Sequence, residues 1–317
     1  MKNPNVLILL LNWNGKKDTL ECIDSLKKLT YPHCFILVVD NGSSDGSVPA
    51  LRHAYPSIHL IETGENLGFA GGNNVGIQFA LERDFDWILL LNNDTVVAPD
   101  LIERLLEIAD QKKAHIVGPK ILRYHEPSKI DHLGGYFDPK TCEFVSPESG
   151  QIDDGIRFEE PKEPEYICGC ALLMHRCVPQ TIGLLEPQFF LLWEETDFCK
   201  RASRAGFRLS TAPLAKIWHK VSASFSGGKP HMQYFWWRSR LLFVSRNFSS
   251  AQKKELYKTV LLSEIFRFFK FALLKAPGAL LFPSKRQKWR RYLAGCAGIY
   301  HYAIGRFGNA PSWVLRK

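Results

Sequence analysis

Along the first hundred residues, short unbroken apolar runs alternate with stretches whose apolar residues recur every three or four positions. The runs at 5–13, 34–40, 58–63 and 87–93 read as strands buried on both faces. Between the first two, Leu20, Ile23, Leu26 and Leu29 fall at helical spacing before Tyr31 and Pro32 stop the helix, and a second helix is expected over 71–84. This alternation predicts right-handed crossover units and an α/β fold with a mainly parallel central sheet. From about residue 99 the pattern loosens. It predicts a helix at 99–110, a strand at 115–121, an excursion rich in Pro, Gly and acids at 123–165 with room for a hairpin, and a strand at 166–176. A helix at 194–207 begins with acids at its positive end, and a short strand follows at 215–220. After Gly227 and Gly228 the chain turns helical, aromatic and basic. Three parts are expected: 1–98, 99–228 and a helical extension at 229–317.

The polar residues that end these strands are the first sign of chemistry. In an open parallel sheet, ligands bind beyond the carboxyl ends of the strands. Asn12 follows the first strand, Asp40 and Asn41 the second, and Asn92, Asn93 and Asp94 the fourth. A plain turn accounts for any one of these. Three on one edge mark a site. In "VVDNGSSDGS" a strand-end carboxylate can accept from a ring N–H, as on a pyrimidine edge. In "ENLGFAGGNN", residues 65–74, three glycines let a backbone approach a ligand closely ahead of a helix start that favours anions. The spacing matches neither the dinucleotide fingerprint nor the P-loop. Asp94 beside such a loop suits a hard divalent cation, Mg²⁺ or Mn²⁺, bound by few protein groups and much substrate oxygen. His219, at the end of a strand, is the candidate second ligand, although a lone histidine is more often a structural hydrogen bonder. Glu194, Glu195 and Asp197 crowd a helix start after Trp193. They read equally as dipole partners and as the source of a general base.

Composition narrows the setting. The 317 residues suffice for one large mixed domain plus an extension. None of the eight cysteines has C-x-x-C spacing, which points to free thiols in a reducing compartment. The apolar run near the start is short for a signal-peptide core, so a cytoplasmic protein is expected. Charge is concentrated in the tail: residues 251–317 hold fourteen Lys or Arg against two acids, whereas residues 1–250 hold twenty-seven against thirty. Within it, the apolar stretch 257–282 is interrupted by Glu264, Arg267, Lys270 and Lys275, which argues against a spanning helix and for one lying on an anionic membrane surface. The same face could instead pack on the catalytic part or on a second copy in a homo-oligomer. It is too apolar for a phosphate-binding arm, so no nucleic-acid partner is expected.

The motifs "VLILLLNWNG", "VVDNGSSDGS", "NLGFAGGNNVGI", "LLLNNDT", "CGCALLM", "WEETDFCKRASRAGFRL" and "WHK" occur in the order seen in bacterial family 2 glycosyltransferases. Over residues 4–248 the chain resembles their rhamnosyl- and galactofuranosyltransferase-like branch. The resemblance implies a GT-A, or nucleotide-diphospho-sugar transferase, fold. It also implies inverting transfer of rhamnose or another hexose from a dTDP- or UDP-sugar to a lipid-linked glycan in cell-surface polysaccharide synthesis. Carried over by position, Asp40 reads the base and Asn12, Trp13 and Asn14 line the nucleotide. Asn66, Gly68, Phe69, Gly71, Gly72 and Asn73 form the diphosphate and ribose loop, with Asn92 and Asn93 beside it. Asp94 and His219 hold the metal. Gly169, Cys170, Trp193 and Asp197 face the acceptor. Glu194 and Glu195 stand where most members have Glu-Asp or Asp-Asp, which makes Glu195 the expected base and Glu194 the alternative. Two readings compete: a non-catalytic nucleotide-sugar-binding protein, and a nucleotidyltransferase, which would place a basic glycine loop where this chain has "NWNGKKD".

Overall fold

The computed structural model describes residues 3–220 and 229–315, so the boundary expected at Gly227 and Gly228 lies outside the described residues. In chain order the first half runs β1 (Val6–Asn12), α1 (Lys16–Leu26), β2 (Cys34–Asp40), α2 (Ser47–Ala54), β3 (His59–Glu62), α3 (Gly68–Leu81), β4 (Trp87–Asn92) and β5 (Thr95–Val97). The second half continues with α4 (Leu101–Lys112), β6 (Ile116–Arg123), β7 (Glu126–His132), β8 (Tyr136–Asp138), β9 (Glu143–Val145), β10 (Ala171–His175), α5 (Cys177–Ile182), α6 (Glu194–Arg204) and β11 (Leu209–His219). The extension holds α7 (Pro230–Asn247), α8 (Ser250–Leu256), a π-helical turn, α9 (Leu262–Leu281), α10 (Pro283–Ala303) and α11 (Ser312–Leu315).

One nine-stranded sheet organises the molecule, in the order β3-β2-β1-β4-β10-β6-β11-β5, with β7 paired to β6. The unbroken apolar run of β1 follows from its central place. Val6, Ile8 and Leu10 enter one core with α1 and α4, while Leu7 and Leu9 enter the other with α3 and α6. Strands β3, β2, β1 and β4 are parallel, as the alternation predicts. Beyond β4 the sheet becomes mixed: β10 is antiparallel to both β4 and β6, and β5 is antiparallel to β11. The strand expected at 166–176 is the shorter β10, and it arrives from a long excursion rather than through a βα crossover, so nothing holds it to parallel pairing.

The excursion contains the expected hairpin, β8 with β9. It is latched to the sheet by Lys120, which is fully buried and donates at 2.7 Å to both Asp153 and Glu159. Asp153 also accepts from Lys216 on β11 at 3.0 Å. The extension packs on this frame: Arg246 and Asn247, at the end of α7, donate to the buried carboxylate of Asp197 on α6 at 3.2 and 2.7 Å.

Removing one member of a buried ion pair strands the others, at a cost of about 3–5 kcal/mol. Lys120→Ala should therefore lower the denaturation midpoint markedly, and Lys120→Ala combined with Glu159→Gln should recover part of the loss, since Asp153 keeps Lys216. A single variant as stable as wild type would show that the latch contributes nothing.

Candidate active site

The carboxyl ends of β1, β2 and β4 meet at Asn12, which is 0% exposed. Its amide donates to Asp40 at 2.7 Å and Ser43 at 3.1 Å. Its carbonyl accepts from the Gly15 amide at 3.1 Å, the Thr19 hydroxyl at 2.9 Å and Asn93 at 3.1 Å. Every hydrogen-bonding group of this side chain is used, so Asn12 is the framework of the site rather than its lining, and Asn93, which also donates to Thr19 at 2.8 Å, belongs with it. Asn14 takes a positive φ of 53° and accepts from the Ser44 amide, tying the β1 and β2 loops together. Trp13, 50% exposed, is the member of this triplet that offers a face to a ligand. Asp40 is buried and already accepts from Asn12 and from the Ser43 amide.

The glycine loop is held from below by Asn41, a residue whose role sequence reasoning left undefined. Its amide donates to Asn66 and to the Gly68 carbonyl at 3.1 and 3.0 Å, and its carbonyl accepts from the Leu67 amide at 3.0 Å. Gly68 has φ +76°, and a Cβ there would lie 2.4 Å from the Phe190 carbonyl, so both backbone angle and space demand glycine. Gly72, expected in the donor loop, is instead a packing position: a Cβ would meet Leu11 at 2.4 Å. Asn73 is likewise buried and donates back to the Phe69 carbonyl at 2.9 Å. Gly71 and Phe69 stay partly exposed on the ligand side of the helix start.

Asp94 closes the turn from β4 to β5, and His219 ends β11, which pairs with β5 so that His219 stands opposite Thr95. His219 Nε2 lies 3.3 Å from the Asp94 carboxylate, while Nδ1 lies 3.2 Å from Asp131. Burial opposes a charge on this imidazole, but Cys170, Asp131 and Asp94 hold its pKa above the usual value. Metal-ligating histidines are oriented by a carboxylate on the ring nitrogen that does not ligate, and Asp131 stands in that position on Nδ1. No group of three or more metal-binding side chains occurs among the described residues. Asp94 and His219, the two ligands expected from the sequence, are brought together, with both ring nitrogens of the histidine facing carboxylates. Asp131 was missed because it lies in the irregular excursion, where no spacing announces it. Cys170, expected on the acceptor side, is buried beside His219.

The acid pair opens α6. Glu194 is buried, Glu195 partly so, and one carboxylate oxygen of each has no hydrogen-bond partner among the described residues. Burial and the neighbouring Glu195 raise the pKa of Glu194 well above the carboxylate range. Burial also raises Glu195, but its own amide and those of Gly169 and Thr196 counter the rise. Both carboxyls of the pair are thus held above the usual range by burial, with backbone amides opposing the rise at each. A Cβ on Gly169 would lie 3.3 Å from the Phe69 ring and 3.5 Å from Glu195 Cβ, so the acid touches the segment that faces the glycine loop. Trp193 is buried with its indole N–H unpartnered among the described residues. Asp197 is a correction: its carboxylate is fully buried and spent on Arg201, Arg246 and Asn247, so it clamps helices and does not face an acceptor.

The segment before the pair is strained. Phe190, Leu192 and Trp193 have φ of 65°, 68° and 74°, a region costly for side chains of this size. Helix α7 holds it in place. Arg238 donates to the Phe189 carbonyl at 3.0 Å, and Ser239 donates to the Leu191 carbonyl at 3.0 Å. The Phe190 ring stacks on Phe235, and its carbonyl accepts from the Phe69 amide at 2.6 Å.

A half-parallel sheet with a glycine loop and carboxylate turn on one edge, faced by a buried acid pair from its second half, defines the GT-A class of fold. The chain belongs to glycosyl transferase family 2, whose family model matches residues 7–178. It is 26% identical over 258 residues to the low-salt glycan biosynthesis hexosyltransferase of Haloferax volcanii, covering 80% of each chain. It is 22% identical over 256 residues to the dTDP-rhamnosyl transferase of Shigella flexneri, covering 77% of this chain and 81% of that one. To the N-acetylglucosaminyl-diphospho-decaprenol L-rhamnosyltransferase of Mycobacterium tuberculosis it is 26% identical over 226 residues, 63% of this chain and 71% of the relative. A solved mannosyltransferase from Pyrobaculum calidifontis, in complex with GDP-Man and Mn²⁺, shares the fold with a TM-score of 0.59 at 14% identity, over 96% of this chain and 89% of that one.

Raised folded-state pKa values mean that the folded protein binds more protons than the unfolded chain. The acid pair thus contributes stability that is complete below the ordinary glutamate value of 4.5 and is lost as pH rises through the raised values. Glu194→Gln should gain stability relative to wild type between pH 5 and pH 8, read as a widening difference in Tm. Parallel pH profiles for the two proteins would refute this.

Proposed function

We propose that this glycosyltransferase catalyses metal-dependent, inverting transfer of a hexose, with rhamnose the first to test, from a dTDP- or UDP-sugar to a hydroxyl of a lipid-linked glycan. One observation supports the reading above others. The adjacent residues Gly169 and Cys170 touch the acid pair and the Asp94–His219 pair respectively, which sets a base and a diphosphate-binding edge on either side of one short segment. The known relatives supply the chemical class: hexosyl and rhamnosyl transfer in glycan synthesis.

In this mechanism Trp13 and Asp40 hold the pyrimidine, and the α3 amides that follow Gly68 and Phe69, whose own N–H groups are spent on Asn66 and Phe190, meet the diphosphate. A divalent cation at Asp94 and His219, together with those amides, would offset the negative charge that develops on the departing diphosphate. Glu195 Oε takes the proton from the attacking acceptor hydroxyl on the opposite face of the sugar, and inversion follows from the single displacement. Glu194 keeps its proton and so prevents a second buried charge beside the base.

The extension supplies the location. No helix among the described residues is long and apolar enough to cross a membrane. Helix α9 instead leaves Leu262, Phe266, Phe269 and Leu273 exposed at helical spacing, with Phe266 72% and Leu273 75% exposed, and Lys270 and Lys275 beside them. Such a face suits the interface of an anionic leaflet. All eight cysteines are free, in keeping with the cytoplasmic side.

Thermal shift with UDP or dTDP should require Mg²⁺ or Mn²⁺ and vanish in Asp94→Ala. Glu195→Gln should keep the nucleotide shift and lose about 100-fold or more in turnover. Loss of nucleotide binding in Glu195→Gln, or retained turnover, would overturn the assignment of the base. Separately, the protein should float with phosphatidylglycerol-containing vesicles, and Phe266→Asp with Leu273→Asp should leave it at the bottom of the gradient. Equal flotation of the variant would remove α9 from the membrane.

A further inference from the structure

Outside the site already described, a cavity of about 420 Å³ opens between α7, α9, α10 and the β8–β9 hairpin. Its lining combines aromatic faces with groups that hydrogen-bond. Trp236, Trp237 and Tyr292 form walls, and Gln233, Glu264 and Arg267 stand among them. Glu264 is turned by the buried Arg240, which donates to it at 2.8 Å. Gln233 and Arg267 have no hydrogen-bond or ion-pair partner among the described residues, although Gln233 is only partly exposed.

Flat rings beside a carboxylate, a guanidinium and an amide are the chemistry that recognises a sugar. The C–H face of a pyranose stacks on an aromatic ring, while its hydroxyls donate to carboxylates and accept from guanidinium and amide N–H groups. The volume fits one or two sugar residues within the range of ordinary ligand clefts. Position adds a second argument. Trp236 packs edge-on against Trp193 at 5.4 Å between centroids, and Trp193 immediately precedes the acid pair. The cleft also shares α9 with the exposed apolar stripe, its lining residues Glu264 and Arg267 alternating along the helix with Leu262, Phe266 and Phe269.

We propose that this cleft is a distal acceptor subsite, binding a sugar residue of the acceptor glycan that lies beyond the one that is glycosylated, toward the lipid. The proposal rests on the acceptor side of the reaction given above and adds to it a place where the extension reads the acceptor. A ligand stacked on Trp236 is two aromatic rings from Glu194, while the lipid end of the same molecule lies along the face of α9.

The test is saturation-transfer-difference NMR on the full-length protein with UDP or dTDP and Mn²⁺-free Mg²⁺ buffer. The probes are the methyl glycosides of glucose, galactose, mannose, rhamnose and N-acetylglucosamine, with inorganic diphosphate as a competitor. At least one glycoside should give a signal that falls several-fold in both Trp236→Leu and Gln233→Ala. Gln233→Ala removes one partly exposed side chain and is the control against misfolding of the tryptophan variant. Nucleotide binding, read by thermal shift in the same samples, should be unchanged in both variants. No glycoside signal in the wild type, a signal indifferent to both substitutions, or displacement by diphosphate at stoichiometric concentration would overturn the proposal. Loss of the nucleotide shift in the wild type would instead strike the donor reading on which it rests.

Discussion

The strained backbone from Phe190 to Trp193 is the constraint on which the active edge depends. Three bulky residues hold positive φ there, and such a conformation persists only where its surroundings over-determine it. Those surroundings come from α7: Arg238 and Ser239 bind the carbonyls at 189 and 191, and Phe235 stacks on Phe190. In return the segment delivers the Phe190 carbonyl to the Phe69 amide and the acid pair to the Gly169 segment. The extension therefore supports the segment that carries the acid pair, as well as carrying the exposed face of α9. Arg238 is itself fully buried and rests on carbonyls and aromatic faces, with no carboxylate partner among the described residues, and desolvation lowers its pKa. A guanidinium placed there strengthens each of its hydrogen bonds to the strained loop.

Polar burial is arranged differently on the two sides of the site. Around Asn12 each donor and acceptor is matched, so the donor edge is rigid and its polarity adds little cost. Around Glu194, Glu195 and Trp193 several polar atoms are left without partners among the described residues. Unpaired buried groups cost about 1–3 kcal/mol each, a cost that the matched network around Asn12 does not carry.

Much of this was legible in the sequence, and unevenly so. The β1, β2 and β4 runs, the glycine loop, Asp94 with His219, and the acid pair all carry local signals: apolar runs, glycines and strand-end polar residues. What the sequence did not separate was framework from lining. Asn12, Asn93, Gly72 and Asn73 have the residue types of ligand contacts, but tertiary packing commits them to the protein itself. Asp197 looks like its acidic neighbours, yet helical rotation turns it inward to α7 while Glu195 stays partly open. The antiparallel entry of β10, the role of Asp131 and the α7 supports depend on contacts between distant parts of the chain, for which no local pattern exists.

The network around Asn12 has a consequence for how the chain folds. Residue for residue, Asn12 stands opposite Asp40 in the β1–β2 ladder and Leu11 opposite Asn92 in β1–β4. A slip of one position in either pairing would turn the strand-end side chains to the other face of the sheet. The apolar interiors of these strands would tolerate that error well, because leucine, isoleucine and valine fill both cores. Asn12, Thr19 and Asn93 would not, since their bonds require one alignment. The polar edge thus acts as a proofreader of strand register, making correct assembly of the sheet a precondition for the Asn12 network to form at all.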